Sequence, residues 1–202
     1  MATAEPLPYR IYPANNRKNA PSQRAGNFSI FAAMTAYIAL LRAVNVGGTG
    51  KLAMDVLKSM CEADGFRSVR TYIASGNVVF ESQLTEKAVK KKIESRLHAY
   101  AGKPVSVMVR TAKEMAEVLA RNPFPNAPGN RTIAIFLDEA PPSNVADTVS
   151  GRVGEEVRAG KREIYVLYGD DMGHSKLKIP ATKNGTGRNM NTVAKLAEMA
   201  SA

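Results

Sequence analysis

The chain is poor in the residues that build disulfide frames, metal sites and aromatic grooves: one cysteine, two histidines and no tryptophan among 202 residues. A single thiol excludes an internal disulfide and fits reducing surroundings. Cys61 falls on the apolar side of a predicted helix with no base or second thiol near it in sequence, the pattern of a small core residue rather than a nucleophile. One cysteine and two histidines are too few for an ordinary structural zinc site. No apolar run approaches the roughly 20 residues needed to cross a bilayer. The longest, Phe31 to Leu41, is interrupted by Thr35 and Tyr37 and stops at Arg42. The chain is therefore expected to make no membrane contact.

What is present is an ordinary globular composition, 45% hydrophobic and 23% charged, with a net charge of +10. The excess is uneven: +3 over residues 1–34, +6 over 35–110, −2 over 111–160 and +3 over 161–188. Such a field attracts phosphate-bearing partners, although plain solubility charge would look the same. Residues 1–34, with four prolines, several asparagines and four basic residues against one Glu, read as a disordered basic extension. Met34 is a candidate start, and an organelle presequence is the alternative.

From Ala36 the pattern is regular. Ala36–Arg42 reads as a strand and Leu52–Asp64 as a helix with Ala53, Leu57, Met60 and Cys61 on one face, stopped by Gly65. Val69–Ile73 and Asn77–Glu81 form a hairpin around Ala74-Ser75-Gly76. Thr85 caps a helix to Tyr100, and Val105, Val107 and Val109 alternate with Ser106, Met108 and Arg110 as a half-buried strand. This β-α-β-β-α-β order is the ferredoxin-like arrangement.

A capping box, Thr111-Ala112-Lys113-Glu114, opens the next part with a helix to Arg121. A strand Arg131–Leu137, a short helix after Ser143, a hairpin of Glu155–Arg158 with Glu163–Tyr168 and a last helix Met190–Ala200 follow. The expected class is α+β: a ferredoxin-like βαββαβ subdomain over residues 35–110, then a related βαββα subdomain over 111–202.

Three polar corners carry the candidate chemistry. The first is Arg42, Asn45, Gly47, Gly48 and Lys51, a Gly-rich turn leading into a helix N-terminus, where free N–H groups suit an anion. It is not a P-loop, because Asn45 replaces the first Gly and Leu52 the Ser or Thr. The second is Ser75-Gly76-Asn77, which also reads as a plain hairpin turn. The third holds Ser175, Lys176, Arg188, Asn189 and Asn191; Ser175 and Lys178 have S-x-x-K spacing, but the companion motifs of serine acyl-enzymes are missing. Asn189 or Asn191 equally suits a helix cap. Asp170-Asp171 offers two carboxylates for magnesium or an ordinary turn, and Lys90-Lys91-Lys92 a solvated helix face. Tyr72 and Phe80 stack bases only if the sheet face is open.

Leu40-Leu41-Arg42-Ala43-Val44-Asn45-Val46-Gly47-Gly48, Val69-Arg70-Thr71-Tyr72-Ile73-Ala74-Ser75-Gly76-Asn77-Val78-Val79-Phe80, Ser175-Lys176-Leu177 and Arg188-Asn189-Met190-Asn191-Thr192-Val193 stand in this order. Together they resemble the bacterial domain-of-unknown-function family numbered 1697, from about Thr35 to the C-terminus. Ala43, Ala74 and Met190 stand where that family commonly has Gly, Gln and Trp. The resemblance implies a cytoplasmic α+β protein and brings no activity or cofactor with it.

The residues point first to binding of a phosphorylated small molecule or nucleic acid in a basic cleft between the subdomains. Arg42, Lys51, Lys176 and Arg188 would neutralise charge; Asn45, Ser75, Asn77, Asn189 and Asn191 would orient the ligand. The alternatives are a small-molecule enzyme with Ser175 or Lys176 at the chemistry, and a protein-interaction module.

Overall fold

Unbroken burial from Tyr37 to Leu41 along the first strand, Thr35–Leu41 (β1), sets the architecture. The computed structural model, which describes residues 33–46 and 51–202, places Tyr37, Ala39 and Leu41 in one hydrophobic cluster and Ile38 and Leu40 in another. Successive strand side chains point to opposite faces, so β1 belongs to a sheet covered on both sides. Of the extension expected over residues 1–34, only Ala33 and Met34 are among the described residues. Gly47 and Gly48 lie outside them.

β1 is followed by α1 (Met54–Ala63), β2 (Arg67–Tyr72), β3 (Asn77–Ser82), α2 (Glu86–Ala101) and β4 (Val107–Thr111). The four strands pair antiparallel in the order β2-β3-β1-β4. Local chemistry sets the helix ends. Gly65 takes φ +85° just after α1, and the Thr85 side chain accepts from the Ala88 N–H at the start of α2. Leu57 and Cys61 of α1 and Val89, Ile93 and Leu97 of α2 meet Phe66 and Phe80 on one face of the sheet. The two phenylalanine rings stack with centroids 4.4 Å apart.

The other face is also covered, which corrects the reading of β4 as half-buried: Val107, Met108, Val109 and Arg110 are all buried. It is covered by α3 (Ala112–Ala120) and α4 (Met190–Ser201) and by a second antiparallel sheet. That sheet is built from β5 (Thr132–Phe136), β6 (Glu156–Ala159), β7 (Glu163–Leu167) and β8 (Thr186–Asn189), in the order β6-β7-β5-β8. One cluster joins Ile38, Leu40 and Met108 to Met115 and Val118 of α3, Val193 and Leu196 of α4, and Phe136 and Tyr165 of the second sheet. Residues Ala32–Ala202 accordingly form one compact unit.

Two elements of the second half differ from expectation. The helix expected after Ser143 is a single 3-10 turn, Val145–Asp147, with no side-chain cap. The strand β8, with the sequence Thr-Gly-Arg-Asn, has no apolar alternation to announce it. It forms because its buried side chains, Thr186 and Arg188, are held by polar contacts, and it takes the edge beside β5.

Candidate functional site

The chain leaves β1 at Leu41 and turns through Ala43 at φ +52° and Asn45 at φ +57°. L-residues seldom adopt such angles, and asparagine tolerates them better than most. The Asn45 amide holds the turn: Oδ1 accepts from the Leu52 N–H at 2.7 Å, and Nδ2 donates to the carbonyls of Leu52 at 2.9 Å and Ala74 at 2.8 Å. The last bond ties the first corner to the β2–β3 turn. Gly76 makes the approach possible. At φ +77° a Cβ there would overlap Val44 Cγ2 and lie 2.8 Å from Leu41 Cβ. The Ser75-Gly76-Asn77 motif is thus shaped by the corner packed on it.

Arg188 completes the meeting. Its side chain crosses from β8 to the first sheet, and all five N–H groups find neutral oxygens. Nε donates to Asn77 Oδ1 at 2.6 Å, and Nη1 to Thr186 Oγ1 at 2.9 Å and the Gly187 carbonyl at 2.8 Å. Nη2 donates to the Leu41 and Ser75 carbonyls, both at 2.9 Å, and to Gly76 at 3.3 Å. Asn77 is fully buried, and its Nδ2 donates to the Tyr72 carbonyl and Ser75 Oγ. Thr186 Oγ1 donates to the Leu41 carbonyl at 3.3 Å. Arg42, on the exposed side, donates to the carbonyls of Lys183 at 2.7 Å and Gly185 at 3.2 Å.

Three segments remote in sequence therefore interlock. Over the described residues 41–46, 51–53, 73–77 and 182–189 they carry Arg42, Lys51, Lys183 and Arg188 and no Asp or Glu. Burial without a carboxylate partner pushes the Arg188 guanidinium down to about 10. A buried cation is costly unless dipoles or an anion compensate it; here carbonyl and amide dipoles do so.

The other expected site residues lie elsewhere. Asn189 is the N-cap of α4, its Oδ1 accepting from the Thr192 N–H at 2.9 Å. Asn191 is exposed beside Gly129, at the far end of β8 from Thr186. Ser175 and Lys176 line a cavity of about 500 Å³ together with Glu155, Tyr168, Asp171 and His174. Ser175 Oγ donates to the buried Glu155, whose carboxyl this hydroxyl and backbone N–H groups hold below its ordinary value. No residue of the Arg188 corner lines that cavity.

Asp170 pairs with Arg131, and Asp171 with His174 Nδ1 at 2.5 Å. Among the described residues no group of three or more His, Cys, Asp or Glu side chains could hold a metal ion. Lys91 and Lys92 are exposed, while Lys90 pairs with Asp138. Phe80 is buried against Phe66, so it has no open face for a base.

Sequence reasoning did not single out Thr186, Lys183 or Ile73 at this corner. A Thr-x-Arg alternation is the one signal available for Thr186. The positive φ of Ile73, +48°, has no sequence signal at all.

Among the described residues no helix is long and apolar enough to cross a membrane. No curated protein matches the chain. The structure of the conserved bacterial protein SP0830 from Streptococcus pneumoniae is similar in fold, with a TM-score of 0.70 at 24% identity over 83% of this chain and 99% of that one. The four sequence motifs divide about the stretch that a family comparison covers: those around Asn45 and Ser75 fall inside it, and those around Ser175 and Arg188 follow it. That stretch, residues 34–165, matches the family described as Protein of unknown function (DUF1697), and the chain belongs to this family.

Proposed function

We propose that the protein binds a phosphorylated small molecule at the corner where Arg42, Lys51 and Lys183 surround the buried Arg188. One observation carries this reading: a guanidinium buried among neutral oxygens sits beneath three acid-free turns. Its charge is not cancelled locally, and low-dielectric surroundings screen it weakly. An anion at the surface gains from that field without touching Arg188. In this reading Arg42 and Asn45 shape the corner, and Lys51 and Lys183, both exposed, meet the ligand.

We read the first half as the ferredoxin-like arrangement, supported by the antiparallel order β2-β3-β1-β4. The second half repeats that order as β6-β7-β5-β8, which supports a related subdomain. The proposed site then lies at their junction.

The test is calorimetric titration of the full chain with inorganic tripolyphosphate, and with a single-stranded oligonucleotide, at low and high salt. Tripolyphosphate binding that weakens with salt supports the reading. Lys51→Ala and Lys183→Ala should each weaken it by about two- to fivefold. No binding at low salt overturns it, and tight binding of the oligonucleotide alone replaces the small molecule with a nucleic acid.

A second reading, a small-molecule enzyme, is favoured by the cavity that gathers Ser175, Lys176, His174 and Glu155. It predicts turnover of activated esters that Ser175→Ala abolishes; equal rates for the two proteins would remove it.

A further inference from the structure

Ile73 is unusual on two counts. It sits at φ +48° in the β2–β3 turn, and its side chain is 48% exposed. A β-branched residue at positive φ is strained, whereas glycine or asparagine would take this position freely. An exposed isoleucine also forgoes burial. Ile73 belongs to none of the three hydrophobic clusters of the described residues.

Val46 is a second exposed apolar residue, at 52%, and it too stands outside those clusters. The Asn45–Ala74 hydrogen bond joins the chain neighbours of Val46 and Ile73. The two residues therefore stand on adjoining turns, the same pair that Arg42 and Arg188 fasten to residues 183–189. Positive-φ Ala43, Asn45 and Ile73 all fall in this pair of turns. Backbone strain gathers where function needs a fixed geometry.

We propose that the phosphorylated ligand is a nucleotide whose base lies on Ile73 and Val46, with its phosphates toward Arg42 and Lys183; this rests on the anion-binding reading above. Two half-exposed side chains offer an area suited to one ring, not a groove for a long hydrocarbon. A base with an apolar face, attached to an anionic tail, matches exposed apolar side chains on acid-free cationic turns. Inorganic phosphates would leave both side chains uncovered.

The full-length chain, in buffer without divalent metal, is titrated with ATP, inorganic tripolyphosphate and geranyl diphosphate. ATP is expected to bind about tenfold more tightly than tripolyphosphate. Ile73→Asn should bring the two affinities together and leave that for tripolyphosphate unchanged. Because asparagine tolerates positive φ, the variant's thermal midpoint should not fall, which separates lost contact from lost fold.

Equal binding of ATP and tripolyphosphate by the natural chain overturns the nucleotide assignment and leaves the anion site standing. So does an ATP preference that survives Ile73→Asn, or geranyl diphosphate binding more tightly than ATP. No binding of either phosphate overturns the anion site and this inference together.

Discussion

Replacing Arg188 by Met keeps an unbranched side chain of similar reach and removes every donor, so it measures what the guanidinium holds together. Two of its acceptors keep other partners: the Leu41 carbonyl still receives Thr186 Oγ1, and the Gly76 carbonyl receives the Leu41 N–H at 2.8 Å. Among the described contacts, Asn77 Oδ1 and the Ser75 carbonyl have Arg188 alone. Leaving a buried acceptor unpaired costs about 1–3 kcal/mol. Asn77 is fully buried and Ser75 half-buried, so the first cost is near the upper end and the second is reduced by water. Relief of the desolvated charge offsets part of the sum. The net expectation is a loss of about 3 kcal/mol, or roughly 6–12 °C in thermal midpoint for a unit of this size. Urea denaturation followed by far-ultraviolet circular dichroism measures it, with Arg42→Ala as control. Arg42 is exposed, and the carbonyls it releases lie at the surface, so about 1 kcal/mol or less is expected there. A loss below about 1 kcal/mol for Arg188→Met would refute the reasoning, because the acceptors would then have found water without the guanidinium.

Gly76→Ala should destabilise by more than about 2 kcal/mol, since positive φ adds to the overlap with Val44 and Leu41. Gly65→Ala, at φ +85° but with nothing within 4 Å, should cost only about 1 kcal/mol, and chemical denaturation distinguishes the two. Burial pushes the Cys61 thiol up to about 12, so a thiol reagent at pH 8 should label it only under denaturing conditions. Burial opposes ionisation of Glu114, but the Thr111 N–H and hydroxyl and the nearby Arg162 and Arg110 outweigh it and hold the carboxyl below its ordinary value of 4.5. The stabilisation this gives is complete above that value and is lost as pH falls through the lower folded one. Glu114→Gln should therefore flatten the acid side of a stability–pH curve in this window, and an unchanged slope would count against it.

The first sheet was legible because β1 and β3 carry runs of apolar residues and most helix ends in this part of the chain carry a threonine or glycine signal. Thr85 and Thr111 cap as their spacing implies, and Gly65 ends α1. Arg110 misled the reading of β4, since a charged residue marks a wet face unless something covers it. Here it is only 1% exposed, its guanidinium donating to the carbonyls of Leu137 and Arg162. Thr186–Asn189 was illegible as a strand for the same reason: its buried positions are polar, and no pattern of apolar residues betrays a polar interlock. The corners around Asn45, Ser75 and Arg188 meet in the structure, but the internal partners of their side chains were not legible in the sequence. A residue type shows that a group can hydrogen-bond; only the fold decides whether it bonds to backbone or faces outward.

Two arginine-centred networks join distant parts of the chain, and their difference separates stability from function. Arg162 pairs with Glu86 at 2.6 Å and Glu114 at 3.2 Å beside Arg110, so cations there meet carboxylates and the network is locally balanced. Arg188 has no such partner. If its charge served stability alone, supplying a carboxylate should be harmless. Ser75 is half-buried and its carbonyl already receives Arg188, so Ser75→Asp places an acid beside the guanidinium. The variant is expected to unfold at an equal or higher urea concentration while losing tripolyphosphate binding by tenfold or more, about 1.4 kcal/mol. A Ser75→Asn control keeps the size without the charge and should retain binding. If Ser75→Asp binds the anion as well as the natural chain does, the field of Arg188 has no part in recognition, and its isolation from carboxylates is only an accident of packing.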